Sequence, residues 1–304
     1  MYTRGMRVLY ATDGGQAARD AGDLLQRIGR RKGIQLTVMS VAALEGVSGT
    51  ADLDVRKPQI ERSRARASET VREAAAELTD AGFAVEGKLA EGDPTAEILK
   101  FLERDPHDIT LLGAGNKTWL GKLLHGSTST QVLHSSPTAV LIVNQAVPKA
   151  RVQVVVADDG SEDARLAAQF LVELADPERS TVAVLGVITL VDLALVPGLA
   201  DLDPASIPTD SVEVSKLENR RIADGRERVE GTSSSLQQAG FLAEPKVVVG
   251  NPAEEILKSA QVSGFGLVVM GSRGLGAVGR ALMGSVSDEV RRHSAATLIA
   301  RRPP

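Results

Sequence analysis

The sequence predicts an α/β protein built from two tandem open, mostly parallel five-stranded sheets flanked by helices. Three observations carry this expectation. Short, β-branched apolar runs alternate with helical stretches in the order β-α-β-α-β-α-β-α-β. The same order of segments occurs twice along the chain. The 304 residues suffice for two domains of ordinary size.

The elements of the first copy follow in order. MRVLYAT at 6–12 is an apolar run of strand length. Ala17 to Arg30 predicts a helix, with Ala18, Ala21, Leu25 and Ile28 near helical spacing. QLTVMSV at 35–41 is the second strand, and the polar, Pro- and Gly-bearing stretch 45–60 reads as a loop. Glu61 to Thr79 predicts a long helix that Gly82 is placed to stop. AVEGKLA at 84–90 is the third strand. Asp93 then offers an N-cap and Pro94 a first-turn residue to a helix carrying Ile98, Leu99 and Leu102. ITLLGAG at 109–115 and TAVLIVN at 138–144 are strands four and five, with a helical segment near 122–133 between them.

The second copy can be aligned on the first. RVLYATDGG at 7–15 resembles QVVVADDGS at 153–161, and Val41 in the second strand aligns with Val187, both at an offset of 146. AGF at 81–83 recurs at 239–241, and EGDPTAEILK at 91–100 resembles VGNPAEEILK at 249–258, now at 158. The offset grows by 12 between Leu44 and Ala81, so the second copy has the longer loop, assigned to LVPGLADLDPASIP at 195–208. SSPTAVLIV at 135–143 matches HSAATLIAR at 293–301 in character. The expected domains are 1–146 and 147–304, joined by a linker near Gln145 to Lys149.

Composition narrows the chemistry. With no cysteine, thiolate catalysis and thiolate metal sites are excluded, and the four histidines (His107, His125, His134, His293) lack zinc-site spacing. Aromatics at 3% argue against a stacking platform for single-stranded nucleic acid. A formal charge of −4 predicts no phosphate-backbone footprint. No apolar stretch is long enough to span a bilayer, and the N-terminus does not read as a signal peptide, so no membrane or nucleic-acid partner and a cytoplasmic location are expected.

Right-handed crossovers place the strand C-termini on one edge, where open α/β sheets bind ligands. Three groups fall there in both copies. Asp13-Gly14 and Asp159-Gly160 could bind a ribose or base through the carboxylate, or simply build a turn. Gly92-Asp93-Pro94 and Gly250-Asn251-Pro252 are mainly helix starts. The third group is the most specific. Copy two reads Gly271-x2-Gly274-x9-Gly284-Ser285 directly after the strand LVVM, with Ser287 close behind. Glycine-rich backbone and an open helix start suit phosphate. Copy one keeps the spacing through Gly113, Gly126, Ser127 and Ser129, but Asn116 replaces the second glycine. Gly121-Lys122 fails the P-loop spacing. Lys117 and Trp119 are open between a surface role and a ligand contact.

These residues resemble the universal stress protein family, in two copies covering about 7–144 and 151–301. The resemblance implies an adenine-nucleotide alpha-hydrolase-like, Rossmann-like fold. The ATP-binding branch of that family has the signature Gly-x2-Gly-x9-Gly-Ser/Thr, which copy two matches throughout. It implies adenosine contacts from Asp159 and Val187, and ribose and phosphate contacts from Gly271, Gly274, Gly284, Ser285 and Ser287. Asp13, Val41, Gly113, Gly126, Ser127 and Ser129 map likewise in copy one. The implied ligand is ATP, or ADP or AMP, with magnesium as an optional companion. The resemblance also implies pairing of the two last strands, 140–143 and 297–300, in an intramolecular pseudo-dimer; further pairing into a homodimer is open. The expected function is stress response or signalling through a bound adenine nucleotide, at most with weak ATP hydrolysis. The alternatives are a scaffolding tandem domain with degenerate pockets and a nucleotide-dependent enzyme on the same scaffold.

Overall fold

The computed structural model of the chain describes residues 5–43, 53–114, 127–147, 151–189, 212–262, 266–274 and 283–301. The first half runs β1 (Met6–Ala11), α1 (Gln16–Ile28), β2 (Ile34–Ala43), α2 (Leu53–Asp80), β3 (Ala84–Gly92), α3 (Pro94–Arg104), β4 (Ile109–Gly113), α4 (Ser127–Ser135) and β5 (Ala139–Val143). The second half repeats it with β6 (Val152–Ala157), α5 (Glu162–Leu174), β7 (Ser180–Ile188), α6 (Val212–Gln238), β8 (Leu242–Val249), α7 (Pro252–Val262), β9 (Leu267–Gly271), α8 (Ser285–His293) and β10 (Ala296–Ala300).

The two five-stranded sheets of the expectation are halves of a single sheet, joined through the expected pairing of 140–143 with 297–300. The strands form one ten-stranded sheet in the order β3-β2-β1-β4-β5-β10-β9-β6-β7-β8. Each five-stranded half is parallel, and the halves join through the antiparallel pair β5–β10. Leu141 lies opposite Leu298, and each neighbouring pair is matched about that point. Unpaired, β5 and β10 would each expose an apolar edge. Joining them buries Val140, Leu141, Ile142, Leu298 and Ile299 almost completely.

A second contact marks the same pseudo-two-fold axis. Gly29 after α1 forms a bridge with Ala175 after α5, its equivalent at the offset of 146. Arg30 donates its amide to Leu174 O at 2.9 Å, and Asp176 donates to Ile28 O at 2.6 Å.

Strand alternation builds two cores. Val8 and Tyr10 face one side with Leu24, Leu25, Ile28 and Leu78, so α1 and α2, like α5 and α6, cover that face. Leu9 and Ala11 face the other side with Ile98, Leu102, Val132 and Leu133, under α3 and α4, and α7 and α8 do the same in the second half. Each core runs continuously through both halves, which makes the sheet the middle of three layers.

Local expectations fare unevenly. Asp93 caps α3 by accepting from the Ala96 amide at 2.8 Å, with Pro94 in the first turn. Gly82 ends α2 at φ +92°, while the Phe83 amide reaches back to Leu78 O. Of the loop expected over 45–60, residues 53–60 are helical instead, because α2 begins at Leu53 and carries Pro58 inside it, and 45–52 lie outside the described residues. Pro58 falls in the second turn, where a missing amide removes one hydrogen bond without ending the helix. The offset also falls to 157 at the last strand, since β5 begins at Ala139 and β10 at Ala296. The second copy is one residue shorter between α8 and β10 than the first is between α4 and β5.

Candidate functional site

In each half the strand order reverses between the first and fourth strands, β1 and β4 or β6 and β9. A crevice opens at their C-terminal ends, on the face covered by α3 and α4 or α7 and α8. In the second half this crevice is a cavity of about 220 Å³. All seven residues singled out in copy two line it: Asp159, Val187, Gly271, Gly274, Gly284, Ser285 and Ser287. Leu185, Ile256 and Met270 add an apolar wall.

The residues have distinct structural duties. Asp159 Oδ1 accepts from the Ser161 amide at 2.9 Å, so one carboxylate oxygen builds the turn into α5. Gly274 faces that carboxylate: a Cβ here would lie 2.7 Å from Asp159 Oδ2. Gly271 is required by packing, since a Cβ would lie 2.7–2.9 Å from Asp163 Cβ and the Ala164 amide. Ser287 is buried and donates to the carbonyls of Gly271 and Ser272, both at 3.1 Å, fastening α8 to the end of β9. Its one proton is therefore committed within the protein, whereas Ser285 is exposed at the cavity.

The start of α8 differs from its neighbours. α3 and α7 are capped by the side chains of Asp93 and Asn251. The N-cap of α8 is Gly284, which supplies no side-chain cap. Its first-turn amides thus keep hydrogen-bonding capacity beside the cavity, together with the positive end of the helix dipole.

The first half opens a larger cavity, of about 490 Å³. Asp13, Val41, Gly113 and Ser129 line it with Thr12, Ser40 and Thr128. The Ser127 backbone begins α4; its side chain, Gly126, Asn116, Lys117 and Trp119 lie outside the described residues. Asp13 Oδ1 accepts from the Gly15 amide at 2.8 Å, repeating the Asp159 turn. Gly113 is packed even more tightly than Gly271: a Cβ would lie 2.3–2.6 Å from the backbone of Ala17 and Ala18.

Sequence reasoning missed a polar cluster beneath the second cavity. Buried Asp158 accepts from the Gly160 amide at 2.8 Å and from the Thr232 hydroxyl at 2.7 Å, and faces Arg228 Nε at 3.8 Å. The corresponding residues in the first half are Thr12, Ala74 and Thr70. It also missed the Ser272 hydroxyl donating to Asp163 Oδ2 at 2.8 Å, where the first half has Ala114 and Ala17. The signal was available: both pairs differ between copies in step. In the first cavity it missed Ser63, Arg66, Ala67 and Thr70 of α2.

Among the described residues no helix is long and apolar enough to cross a membrane, and no group of three or more His, Asp or Glu could hold a metal.

Known proteins resemble this chain in sequence and in fold. The profile of the universal stress protein family matches residues 6–144 and 152–300. The chain is 30% identical over 89 residues to universal stress protein MJ0577 of Methanocaldococcus jannaschii, covering 29% of this chain and 55% of that protein. It is 28% identical over 152 residues to universal stress protein YxiE of Bacillus subtilis, covering 49% of this chain and 98% of that protein. A universal stress protein structure from Archaeoglobus fulgidus shares the fold with a TM-score of 0.65 and 22% identity, covering 98% of this chain and 96% of that one. The two profile matches account for nearly all of the sheet and its helices, and the chain belongs to the universal stress protein family, with two of its domains in tandem.

Proposed function

We propose that the protein is a stress-response or signalling protein that binds an adenine nucleotide in its second domain as a regulatory ligand. One observation carries the reading: residues from four separate segments, singled out for one ligand, line one cavity at the switch point of the sheet. Leu185, Val187, Ile256 and Met270 offer the base an apolar seat. Asp159 lines the same cavity, and a carboxylate there suits ribose hydroxyls. The uncapped start of α8, with Ser285, suits the phosphates. Ser287 supports them indirectly, by holding that helix against β9.

Titration with ATP and Mg²⁺ tests this. Gly274→Asn places a side chain against Asp159, and the expected result is a loss of about tenfold or more in affinity with the fold intact. Unchanged affinity in Gly274→Asn would make the assignment of this cavity wrong. Steady turnover abolished by Asp159→Ala would favour an enzyme instead.

A further inference from the structure

The antiparallel β5–β10 pair sets the end of each strand beside the start of the other. The start of each last strand is reached from the helix that borders its own cavity: α4 leads into β5 and α8 into β10. The first residue after each strand therefore arrives at the C-terminus of the opposite domain's helix.

Both arrivals make hydrogen bonds. Asn144, just after β5, donates from Nδ2 to Arg291 O at 2.7 Å and to Ser294 O at 2.8 Å. Its amide also reaches Ala295 O at 2.8 Å. Arg301, just after β10, donates from Nη1 to His134 O at 3.0 Å and from Nη2 to Leu133 O at 3.4 Å. Asn144 and Arg301 are equivalent positions at the offset of 157. They reach the same kind of target with different chemistry: an amide on α8 and a cation on α4.

A helix leaves its last four carbonyls without intrahelical partners, and a donor or cation there stabilises it. α4 and α8 have nine residues each, about 13 Å, so the capped end and the cavity end belong to one short rod. The cavity ends carry Thr128 and Ser129 in α4, and Ser285 and Ser287 in α8. We infer that Asn144 and Arg301 are crossed positioning residues: each domain fastens the helix that borders the other domain's cavity. This rests on the nucleotide reading for what the cavities hold, but the crossed caps stand on geometry alone.

Hydrogen–deuterium exchange on the full chain tests the inference, first without ligand and then across an ATP–Mg²⁺ titration. Without ligand, Asn144→Ala should speed exchange about fivefold in 285–293, the size of one lost helix-end interaction, and leave 127–135 at the wild-type rate. Arg301→Met should do the reverse, and Arg301→Lys should restore most of the protection in 127–135. With ATP, Asn144→Ala should raise the concentration needed to protect 285–293 by a similar factor. Equal loosening of both helices, loosening confined to the substituted residue's own domain, or no loosening would overturn the crossed caps. Crossed loosening with an unchanged ATP midpoint would overturn their role at the site. If ATP protects neither helix in the wild type, the nucleotide reading fails, and the ligand-free pattern still decides the caps.

Discussion

The two cavities sit at the same place in two copies of one fold, yet the first has about 490 Å³ and the second about 220 Å³. Among the described residues, the walls of the two cavities differ between the second strand and the long helix of each half. In the second half, Arg228 of α6 lies beside Gly186 of β7, and Ile188 of β7 packs against Gly225 of α6. The first half has Thr70, Ser40, Ala42 and Ala67 at those positions. Large residues facing glycines thus become small residues facing small residues. The first cavity reaches α2 through Ser63, Arg66, Ala67 and Thr70, whereas no described α6 residue lines the second. Charge changes too, because Arg66 stands where the second half has Asp224. A duplicated fold can therefore keep its carboxyl-edge frame while its side walls diverge.

Five substitutions probe the two halves, from the largest expected effect to the smallest. Gly113→Ala drives a methyl into the backbone of α1 and should destabilise by about 3 kcal/mol or more, while Gly271→Ala, with the looser fit, should lose about 2. Thermal unfolding of both proteins checks the order, and a reversed order would contradict the packing described. Arg228→Thr leaves Asp158 buried without its cation and should lose about 2–3 kcal/mol. Adding Asp158→Thr gives positions 158 and 228 the residues of the first half, with Thr232 kept in place of its Ala74, and should recover all but about 1 kcal/mol. If the double variant is as unstable as the single, Arg228 is not there to balance Asp158.

The smallest expected effect concerns a residue at the opposite edge of the first half. His107 is buried; it donates from Nδ1 to Asp105 O at 2.7 Å and accepts from Thr37 Oγ1 at Nε2, 2.9 Å away. Burial pushes its pKa below the ordinary value. The unfolded chain therefore takes up a proton first as the pH falls. The stability His107 contributes is present above about pH 6.5 and is lost as the pH falls from there through the lowered folded value. His107→Gln should flatten that acid limb in denaturation curves between pH 7 and 5. An unchanged slope would place the acid sensitivity elsewhere.

Much of the fold was legible because duplication supplied an internal alignment. The match of Asp13 with Asp159, and of Gly113 with Gly271, marks the carboxyl edge in the sequence alone. The seven residues of the second cavity were legible for the same reason. The joining of the two sheets was legible only through the family resemblance, which implies the pairing of 140–143 with 297–300; the register, with Leu141 opposite Leu298, is visible only in the paired strands. The start of α2 was obscured by Pro58, whose helix-breaking tendency is weaker near a helix start. Arg66 and Thr70 were missed because a long polar helix gives no sign of which polar residue meets a cavity. Ser287 was read as a ligand contact because a serine at a helix start suits both roles, and its hydrogen bonds to Gly271 and Ser272 are visible only in three dimensions.

The inequality of the two halves is tested most directly by counting ATP sites per chain in an equilibrium titration with Mg²⁺. The expected count is one tight site in the wild type, none in Gly274→Asn, and a second site gained in Asn116→Gly, which restores the missing glycine of the first copy. Two equal sites in the wild type, or one tight site that survives Gly274→Asn and disappears with Asp13→Ala, would contradict the assignment of the nucleotide to the second domain.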